Sequence, residues 1–293
     1  MESMAAKKRA IIVPLMGGLG NQLFQYAAGI HVRKFANKNT YFSQSGLLNT
    51  KNTPRSYMLG DLLKSSDIDN RGRFTLAVFK LASFVVPSIW VAERDLSDFP
   101  LERVSKTTKI LLGYFQRLNY VDSVAAELIQ AMRHSKLFGK LATTLSTNDL
   151  AVHIRFGDYL MSPETKKFHG LTAMSYYVDA VNHLRSIDSF DRVVIYSDDP
   201  SKAYSDFTQA FGSREIPVVL SARSGEIEEL TSMSSSKGLV ISNSTFSWWA
   251  AWIGTQLHDC NVVAPRPWFA TPSAADDNLL LDRWTVLDRE LQP

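Results

Sequence analysis

The stretch GLVI-SNST-FSWWAAWI, residues 238–253, joins an apolar strand-like run to an aromatic helix-like run through four small polar residues. A strand that turns through hydroxyl and amide side chains into a helix leaves backbone N–H groups without acceptors at the helix start. Such a start is a natural anion site, above all for phosphate. Capping alone needs one such residue, so the row predicts a ligand site, with contacts from Asn243, Ser244, Thr245 and Phe246.

Strand-like and helix-like segments alternate along the second half of the chain. The candidate strands are 150–154, 192–196, 216–220, 238–241 and 261–264, and helices are expected at 175–185, 201–211, 226–234 and 246–254. Regular alternation with apolar strands is typical of a parallel sheet covered on both faces. The sequence therefore predicts an α/β fold.

The first half carries a weaker version of the same pattern. Strands are expected at 10–15, 40–43 and 109–114, and helices at 21–34, with Asn21 as its cap, and at 123–137. A polar stretch near 140–150 predicts two Rossmann-like domains, residues 1–145 and 146–293. Open α/β sheets bind ligands at the carboxyl ends of their strands, so we expect a cleft between the two domains.

Composition excludes several classes of protein. A net charge of +3 over 293 residues gives no indication of nucleic-acid binding. The single cysteine, Cys260, excludes an intramolecular disulfide and favours a reducing compartment. The basic start is followed by an apolar run that Pro14 interrupts, so no signal peptide is predicted and a cytoplasmic location is expected.

Residues 76–91 form a second apolar region, which Lys80 and Pro87 interrupt. The region is shorter than the ~20 residues that a membrane-spanning helix needs. We expect a buried helix or part of a domain core. Peripheral contact with a membrane surface, which Arg71 and Arg73 would favour, is the alternative.

His153 and Arg155 stand at the end of a predicted strand, where residues two apart point to the same face. A guanidinium in that place suits bidentate contact with phosphate oxygens. An imidazole can donate to the same anion or take a proton from a hydroxyl. In the alternative interpretation, Asp158, just beyond Gly157, forms a structural ion pair with Arg155, and His153 is a satisfied histidine of the core. Three polar residues at one strand–loop junction favour a functional site.

Asp198 ends the next predicted strand, and Asp198 or Asp199 could bind a ligand or cap the following helix.

After the first strand, Gly18 and Gly20 permit close backbone approach, and Asn21 and Gln22 add amide groups for phosphate or sugar oxygens. This loop is not a dinucleotide fingerprint, because Leu23 stands where the third glycine belongs and the next strand ends without an acid. A plain tight turn is the alternative interpretation.

The aromatic helix contains Trp248, Trp249 and Trp252. Aromatic faces stack on sugars and bases, but Trp248 and Trp252 lie four residues apart and so share one helix face. We expect at least two of the three to pack in the core.

Taken together, these segments resemble glycosyltransferase family eleven, the α-1,2-fucosyltransferases. The matching words, in the order of the family, are GGLGNQLFQY at 17–26, GYFQ at 113–116, HIR at 153–155 with GDY at 157–159, FHG at 168–170, YY at 176–177, SDD at 197–199, SNSTFSWWAA at 242–251, AP at 264–265 and PWF at 267–269. One such word is weak, but the ordered set spans almost the whole chain.

The resemblance implies a GT-B architecture, with two Rossmann-like domains whose parallel sheets face each other across a cleft. It implies GDP-L-fucose as donor, held mainly by the C-terminal domain, and an acceptor contacted by the N-terminal domain. The product would be an α-1,2-fucosyl link to a galactose, made with inversion and without a metal or other cofactor. Arg155 matches the family arginine that holds the diphosphate, whereas Phe156 stands where many members have a second arginine.

The base for the acceptor hydroxyl is open between His153, Asp158 and Asn21, the last as a polariser. The acceptor is also open, since its choice depends on loops expected at 45–98 and 161–172; a free oligosaccharide, an O-antigen repeat and a glycolipid all fit. A transferase for another nucleotide sugar and a non-catalytic nucleotide-sugar or glycan-binding module are the alternatives. The expected location is cytoplasmic, with at most peripheral contact with the inner membrane.

Overall fold

The computed structural model describes residues 10–47, 56–63, 67–68, 77–78, 80–92, 101, 104–143, 146–157, 170–212, 215–222, 225–270 and 278–292. The chain divides into two compact units, Met1–Leu137 and Phe138–Pro293. The predicted domains, 1–145 and 146–293, divide slightly later. The units divide earlier because the short helix at 139–143 packs against the helix at 226–234 of the second unit.

The first unit contains a four-stranded parallel sheet. In chain order its elements are β1 (Ile11–Pro14), α1 (Leu19–Phe35), β2 (Thr40–Ser43), β3 (Trp90–Ala92), β4 (Ile110–Leu112), α2 (Leu118–Asp122) and α3 (Ala125–His134). The strands lie in the order β2-β1-β4-β3 and all pairs are parallel. The strand β1 lies in the middle and is buried throughout, which explains its uninterrupted apolar sequence.

The second unit contains a six-stranded parallel sheet. Its elements are α4 (Gly139–Thr143), β5 (Thr147–Ile154), β6 (Leu171–Thr172), α5 (Met174–Ile187), β7 (Arg192–Ser197), α6 (Pro200–Phe211), β8 (Val218–Leu220), α7 (Glu226–Ser234), β9 (Ser236–Val240), α8 (Thr245–Leu257), β10 (Asn261–Arg266), β11 (Thr285–Asp288) and β12 (Leu291–Gln292). The strand order is β11-β10-β9-β5-β7-β8, and β12 pairs with β6 in a separate antiparallel ribbon. The predicted strands and helices of this half are confirmed, with small shifts at their ends.

Helices cover both faces of this sheet. Leu150, Val152 and Ile154 of β5 share a core with residues of α5 and α6, so these helices lie on one face. The adjacent side chains of the strands point the other way: the Tyr196 hydroxyl lies 2.6 Å from Ser232 Oγ on α7. The inner strands are therefore buried on both sides, which is the environment that the apolar runs predicted, whereas the edge strands β8 and β11 are partly exposed.

The aromatic helix α8 is buried all round, as a helix without a polar face must be. Trp248, Trp249 and Trp252 are fully buried and form edge-to-face pairs, and the Trp248 indole N–H donates to Leu279 O at 2.6 Å. All three tryptophans thus belong to the core, one more than the minimum expected.

The apolar region at 76–91 differs from the expected buried helix. Leu81, Phe84 and Val85 are 71, 81 and 85% exposed, and the region ends in a 3-10 turn, Pro87–Ile89, that leads into β3. The predicted burial is wrong here because an apolar sequence does not by itself determine whether another part of the protein covers it.

Within the described part of the chain, no helix combines the length and the apolar character needed to cross a bilayer.

Candidate functional site

Three adjacent strands of the second sheet end at one edge, and each continues into a polar turn. The order β9-β5-β7 places β5 in the middle, with β9 and β7 as its parallel neighbours. Ser242–Thr245 follow β9, Arg155 follows β5 and Asp198 follows β7. The carboxyl ends of parallel strands form the ligand-binding edge of open α/β sheets. The topology therefore brings these three segments together.

Asp198 organises the turn after β5. Its Oδ1 accepts the N–H of Phe156 at 3.0 Å, and its Oδ2 accepts the N–H of Gly157 at 2.6 Å. The same carboxylate forms an ion pair with Arg155, with Nη1 to Oδ2 at 3.4 Å. From the sequence, Asp158 is a candidate ionic partner of Arg155, but Asp158 lies outside the described residues. The described partner, Asp198, follows another strand, β7.

The neighbouring acid has the other role that the sequence proposed. Asp199 is the N-cap of α6, and its side chain accepts the N–H of Lys202 at 3.2 Å. The two consecutive acids thus have different roles. Asp199 accepts a backbone N–H at the start of α6, and Asp198 holds the turn that follows Arg155.

Gly157 is required by the shape of this turn. Its φ of +59° lies in the left-handed region, which side chains with a Cβ rarely adopt. A Cβ added there would lie 2.8 Å from Nε of Arg155. The glycine therefore keeps space for the guanidinium as well as permitting the turn.

His153 is buried beneath this edge. Its Nδ1 lies 2.8 Å from Ser242 Oγ, and its ring centroid lies 5.8 Å from that of Phe246. Burial, with a further contribution from the charge of Arg155, lowers the pKa of His153 to about 3. The ring is therefore neutral at physiological pH, and it links β5 to the start of α8.

The four polar residues before α8 do not all face a ligand. Ser242 and Asn243 are buried: Ser242 meets His153, and the Asn243 amide bonds to Thr172 Oγ1 at 3.4 Å and to Trp268 O at 3.2 Å. Ser244 is the N-cap of α8 and accepts the N–H of Phe246. The buried side chains of Ser242 and Asn243 hold the helix start in place, while Ser244, Thr245 and Phe246 keep partial exposure.

A buried guanidinium supports the same turn from behind. Arg289, which is 4% exposed, donates to Pro267 O at 2.6 Å, to Trp268 O at 3.2 Å and to Thr172 Oγ1 at 2.9 Å. Since Thr172 and Trp268 are also the partners of Asn243, Arg289 fixes the groups that orient that amide. Nothing in the local sequence around Arg289 predicts this role.

A cavity of about 470 Å³ opens beside Arg155. Phe156, Thr172 and Lys202 line it as well, and Lys202 Nζ lies over the Phe156 ring at 5.1 Å from its centroid. The volume lies within the range of small-molecule sites. Thr172 connects the cavity to Asn243, so the cavity and the start of α8 are neighbours. Sequence reasoning missed Lys202, whose position two residues into α6 is its only signal.

The first unit has its own polar edge, after β1 and β4. The helix α1 begins at Leu19 with Gly18 as its cap, so the expected capping role of Asn21 is wrong. Asn21 lies within the first turn instead, and its Oδ1 accepts from Gln116 Nε2 at 3.0 Å. The contact joins the loop after β1 to the loop after β4, two segments of the sequence resemblance. Gly20 is buried within α1.

Two buried glutamines hold these loops. Gln22 donates to Gly17 O and Ser56 O and accepts the N–H of Met58, so its amide is engaged in protein bonds. Gln25, which sequence reasoning did not single out, accepts the N–H of Met16 and donates to Gly113 O, each at 2.9 Å. Gln22 thus supports these loops, and its expected contact with a ligand stays a prediction.

The family model "Glycosyl transferase family 11" matches residues 2–288. The chain belongs to this family.

Two relatives from Escherichia coli agree with this membership. The O-antigen biosynthesis glycosyltransferase WbnK is 29% identical, over 93% of this chain and 99% of the relative. An alpha-1,2-colitosyltransferase is 26% identical, over 95% of this chain and 99% of the relative. The protein is thus a glycosyltransferase.

A solved structure with a similar fold is that of an Arabidopsis thaliana FUT1 variant in complex with GDP. The two share 10% sequence identity and a TM-score of 0.50, over 90% of this chain and 73% of the FUT1 chain. The likeness concerns the fold alone. Together with the two parallel sheets, it confirms the expected α/β fold of GT-B type.

The structure places some of the matching sequence motifs near the site. The Tyr176 hydroxyl donates to Ile241 O at 2.8 Å, so this residue supports the strand before the α8 turn. Phe156, the departure from the family pattern, packs against the core that contains Ile154, on the face away from His153. The residues 158–169, which include Asp158 and most of the FHG word, lie outside the described part of the chain.

The described residues contain no group of three or more His, Cys, Asp or Glu side chains arranged to hold a metal ion. The metal-free chemistry that the resemblance implies stays a prediction.

Proposed function

We propose that this glycosyltransferase moves L-fucose from GDP-β-L-fucose to the 2-hydroxyl of a galactose in a glycan acceptor, with inversion at the anomeric carbon. The observation that carries the proposal is the convergence of Arg155 and the start of α8 on neighbouring strand ends. A guanidinium and a helix N-terminus are two groups that favour a diphosphate.

The chemistry needs stabilisation of the leaving group. As the bond between the sugar and the diphosphate breaks, negative charge grows on the GDP oxygens. Arg155, held by Asp198, and the first N–H groups of α8 are fixed before the reaction, so they stabilise this charge without reorganising. Lys202, whose Nζ is paired with Asp206 Oδ2 at 2.6 Å, lines the adjacent cavity, which would hold another part of the donor.

The base is proposed from the remaining candidates. His153 is buried and its ring is bonded to Ser242 Oγ at 2.8 Å, so it offers little surface to an acceptor hydroxyl. We therefore assign His153 a positioning role at the start of α8. Of the candidates with a titratable side chain, Asp158 remains, and Asn21 is retained as a polariser. A pH–rate profile of Asp158→Asn with a flattened acid limb would support this assignment.

The donor sugar has a specific competitor. One relative is named an alpha-1,2-colitosyltransferase, and colitose is L-fucose without its 3-hydroxyl. GDP-colitose is therefore the second candidate donor. The two donors differ by one hydroxyl, so a site that bonds the 3-hydroxyl would reject GDP-colitose strongly, whereas an apolar site would accept both.

The test is a transfer assay with both donors and β-galactoside acceptors. We expect GDP release together with an α-1,2-linked fucosylated product. Faster transfer from GDP-colitose would replace the fucose assignment. Binding of either donor by calorimetry without turnover, with and without added metal, would indicate a non-catalytic binding module.

Arg155→Ala tests the site itself. Loss of one charge-stabilising donor lowers kcat by roughly a hundredfold. The matched control is Arg192→Ala: Arg192 is also paired with an acid, Asp149 at 2.8 Å, but begins β7 at the opposite end of the sheet. We expect the control to keep its activity. Equal activity of both variants would remove Arg155 from the donor site.

A further inference from the structure

The segment 78–86 of the first unit presents a concentrated apolar surface. The exposed residues and their exposed fractions are Val78 46%, Leu81 71%, Phe84 81%, Val85 85% and Val86 36%. Other large apolar side chains with high exposure in the described chain, such as Phe35 and Ile187, stand singly at helix ends. A contiguous exposed apolar patch marks an interaction surface.

Four backbone N–H groups of this segment bond to carbonyls within the segment. The N–H groups of Ser83, Phe84 and Val85 donate to Lys80 O, Leu81 O and Ala82 O, and Val86 N–H also donates to Ala82 O. Pro87 follows and has no N–H. These four donors can enter an apolar environment without being left unpaired, which lowers the free-energy cost of contact with lipid.

The segment is anchored at the amino end of the first sheet. Lys109 N–H donates to Ile89 O at 2.8 Å, and β3 begins directly after this turn. The loop after β1 that carries Gly17 and Gly18 lies at the carboxyl end of the same parallel sheet. The apolar surface therefore lies at the end of the sheet opposite to the loop after β1, and it is not an extension of that loop.

The charge around the surface is positive. In the described part of this region, residues 77–78 and 80–92, Lys80 is the one charged residue. Lys38, Lys106 and Lys109 precede strands β2 and β4 and so lie at the same end of the sheet. Burial and the repulsion from the charge of Lys38 lower the pKa of Lys109. An anionic partner would relieve this repulsion.

We propose that residues 78–86, with the lysines at the amino end of the first sheet, dock the protein on the surface of a membrane that contains anionic lipids. The apolar side chains would enter the boundary between head groups and acyl chains, and the lysines would meet the lipid charges. This inference does not depend on the donor or the acceptor of the proposed reaction.

The experiment is co-sedimentation of the full chain with vesicles of phosphatidylcholine alone and of phosphatidylcholine mixed with phosphatidylglycerol. We expect binding to the mixed vesicles that weakens with added salt. The double variant Phe84→Glu/Val85→Glu should bind at least about tenfold more weakly, because it places two carboxylates at the apolar tip. The matched control, Ile187→Glu, changes a single exposed apolar residue of the second unit and should bind as the native chain does.

A second variant separates charge from apolar contact. Lys80→Glu should weaken binding to the mixed vesicles while leaving any binding to phosphatidylcholine alone unchanged. Circular dichroism would show that each variant is folded. Equal vesicle binding by the native chain and the double variant, or no binding by the native chain, would overturn the proposal. So would a dimer in light scattering that the double variant converts to a monomer, since a second copy would then cover the surface.

Discussion

The guanidinium Nη1 of Arg155 lies 3.4 Å from Oδ2 of Asp198, and that carboxylate also accepts two backbone N–H groups from the turn after Arg155. One acid at the end of β7 therefore sets both the charge and the backbone shape at the end of β5. The two side chains are 29% and 28% exposed, so the pair remains accessible to an anionic ligand.

Asp198→Asn should lower activity through Arg155. Asparagine keeps the shape of the side chain, but it loses the charge and presents an NH₂ group where one oxygen now accepts an N–H. The turn and the guanidinium would shift, and we expect kcat to fall roughly ten- to a hundredfold, as misplacement of a catalytic group does. Steady-state kinetics with saturating acceptor would measure it.

The control for this variant is the next residue. Asp199→Asn replaces one good helix cap of α6 by another, so stability and kcat should stay near the native values. If the two variants behave alike, Asp198 has no special role in positioning Arg155.

A pair of glycine substitutions separates strain from contact. Gly157 and Gly212 have φ values of +59° and +61°, so alanine at either position should cost about 1 to 2 kcal/mol of unfolding free energy. Only Gly157→Ala also meets Arg155, whereas nothing lies within 4 Å of a Cβ at Gly212. We expect transfer activity to fall in Gly157→Ala alone, measured as initial rates beside urea unfolding. Similar activity losses in both variants would show that the effect is general destabilisation.

The buried His153 should make the protein sensitive to acid. Its pKa is lowered from 6.5 to about 3 in the folded chain, so the unfolded chain takes up a proton first as the pH falls. The contribution of His153 is fully favourable above pH 6.5, and unfolding free energy is lost by about 1.4 kcal/mol per pH unit between these two values.

His153→Asn isolates this contribution. Asparagine can place an amide nitrogen near the position of Nδ1 and so keep a contact with Ser242, but it does not titrate. Urea unfolding at several pH values between 6.5 and 4.5 should give a shallower pH dependence for the variant than for the native chain. Parallel curves would contradict the lowered pKa.

Cys260 should be unreactive until the protein unfolds. Burial raises the pKa of its thiol to about 12, and the thiolate is the reactive form. A disulfide reagent at pH 8 should therefore label the native chain slowly and the urea-unfolded chain rapidly. Because this is the single cysteine, the signal has one source, and Cys260→Ser serves as the blank. Rapid labelling without denaturant would show that the thiol is accessible.

Much of the second unit could be predicted from its sequence, because its strands and helices are encoded locally. Apolar runs such as 192–197 and the capping residue Ser244 decide where strands and helices begin. The strand alternation that placed His153 and Arg155 on one face reaches only to Ile154, since β5 ends there. The position of the Arg155 side chain is decided by Asp198 instead.

The predictions that were wrong concern the contacts and burial of individual side chains, not the type of secondary structure. Asn21 is a good capping residue, but the N-cap of α1 is Gly18, three residues earlier, and the Asn21 amide oxygen accepts from a distant residue, Gln116. Phe84 and its neighbours are apolar, yet nothing in the described chain covers them. Propensity and hydropathy describe a residue, whereas a partner distant in sequence depends on the path of the whole chain.

The sequence by itself determined the alternation of strands and helices, the family, and the presence of polar turns where strands end. Each of these depends on residues that are a few positions apart. Only the tertiary structure decided which ends become neighbours. The order β9-β5-β7 sets Asp198 beside Arg155 and Ser242 beside His153, and Arg289 orients the groups that hold Asn243. These pairs are separated by tens of residues, so only strand pairing and packing bring them into contact.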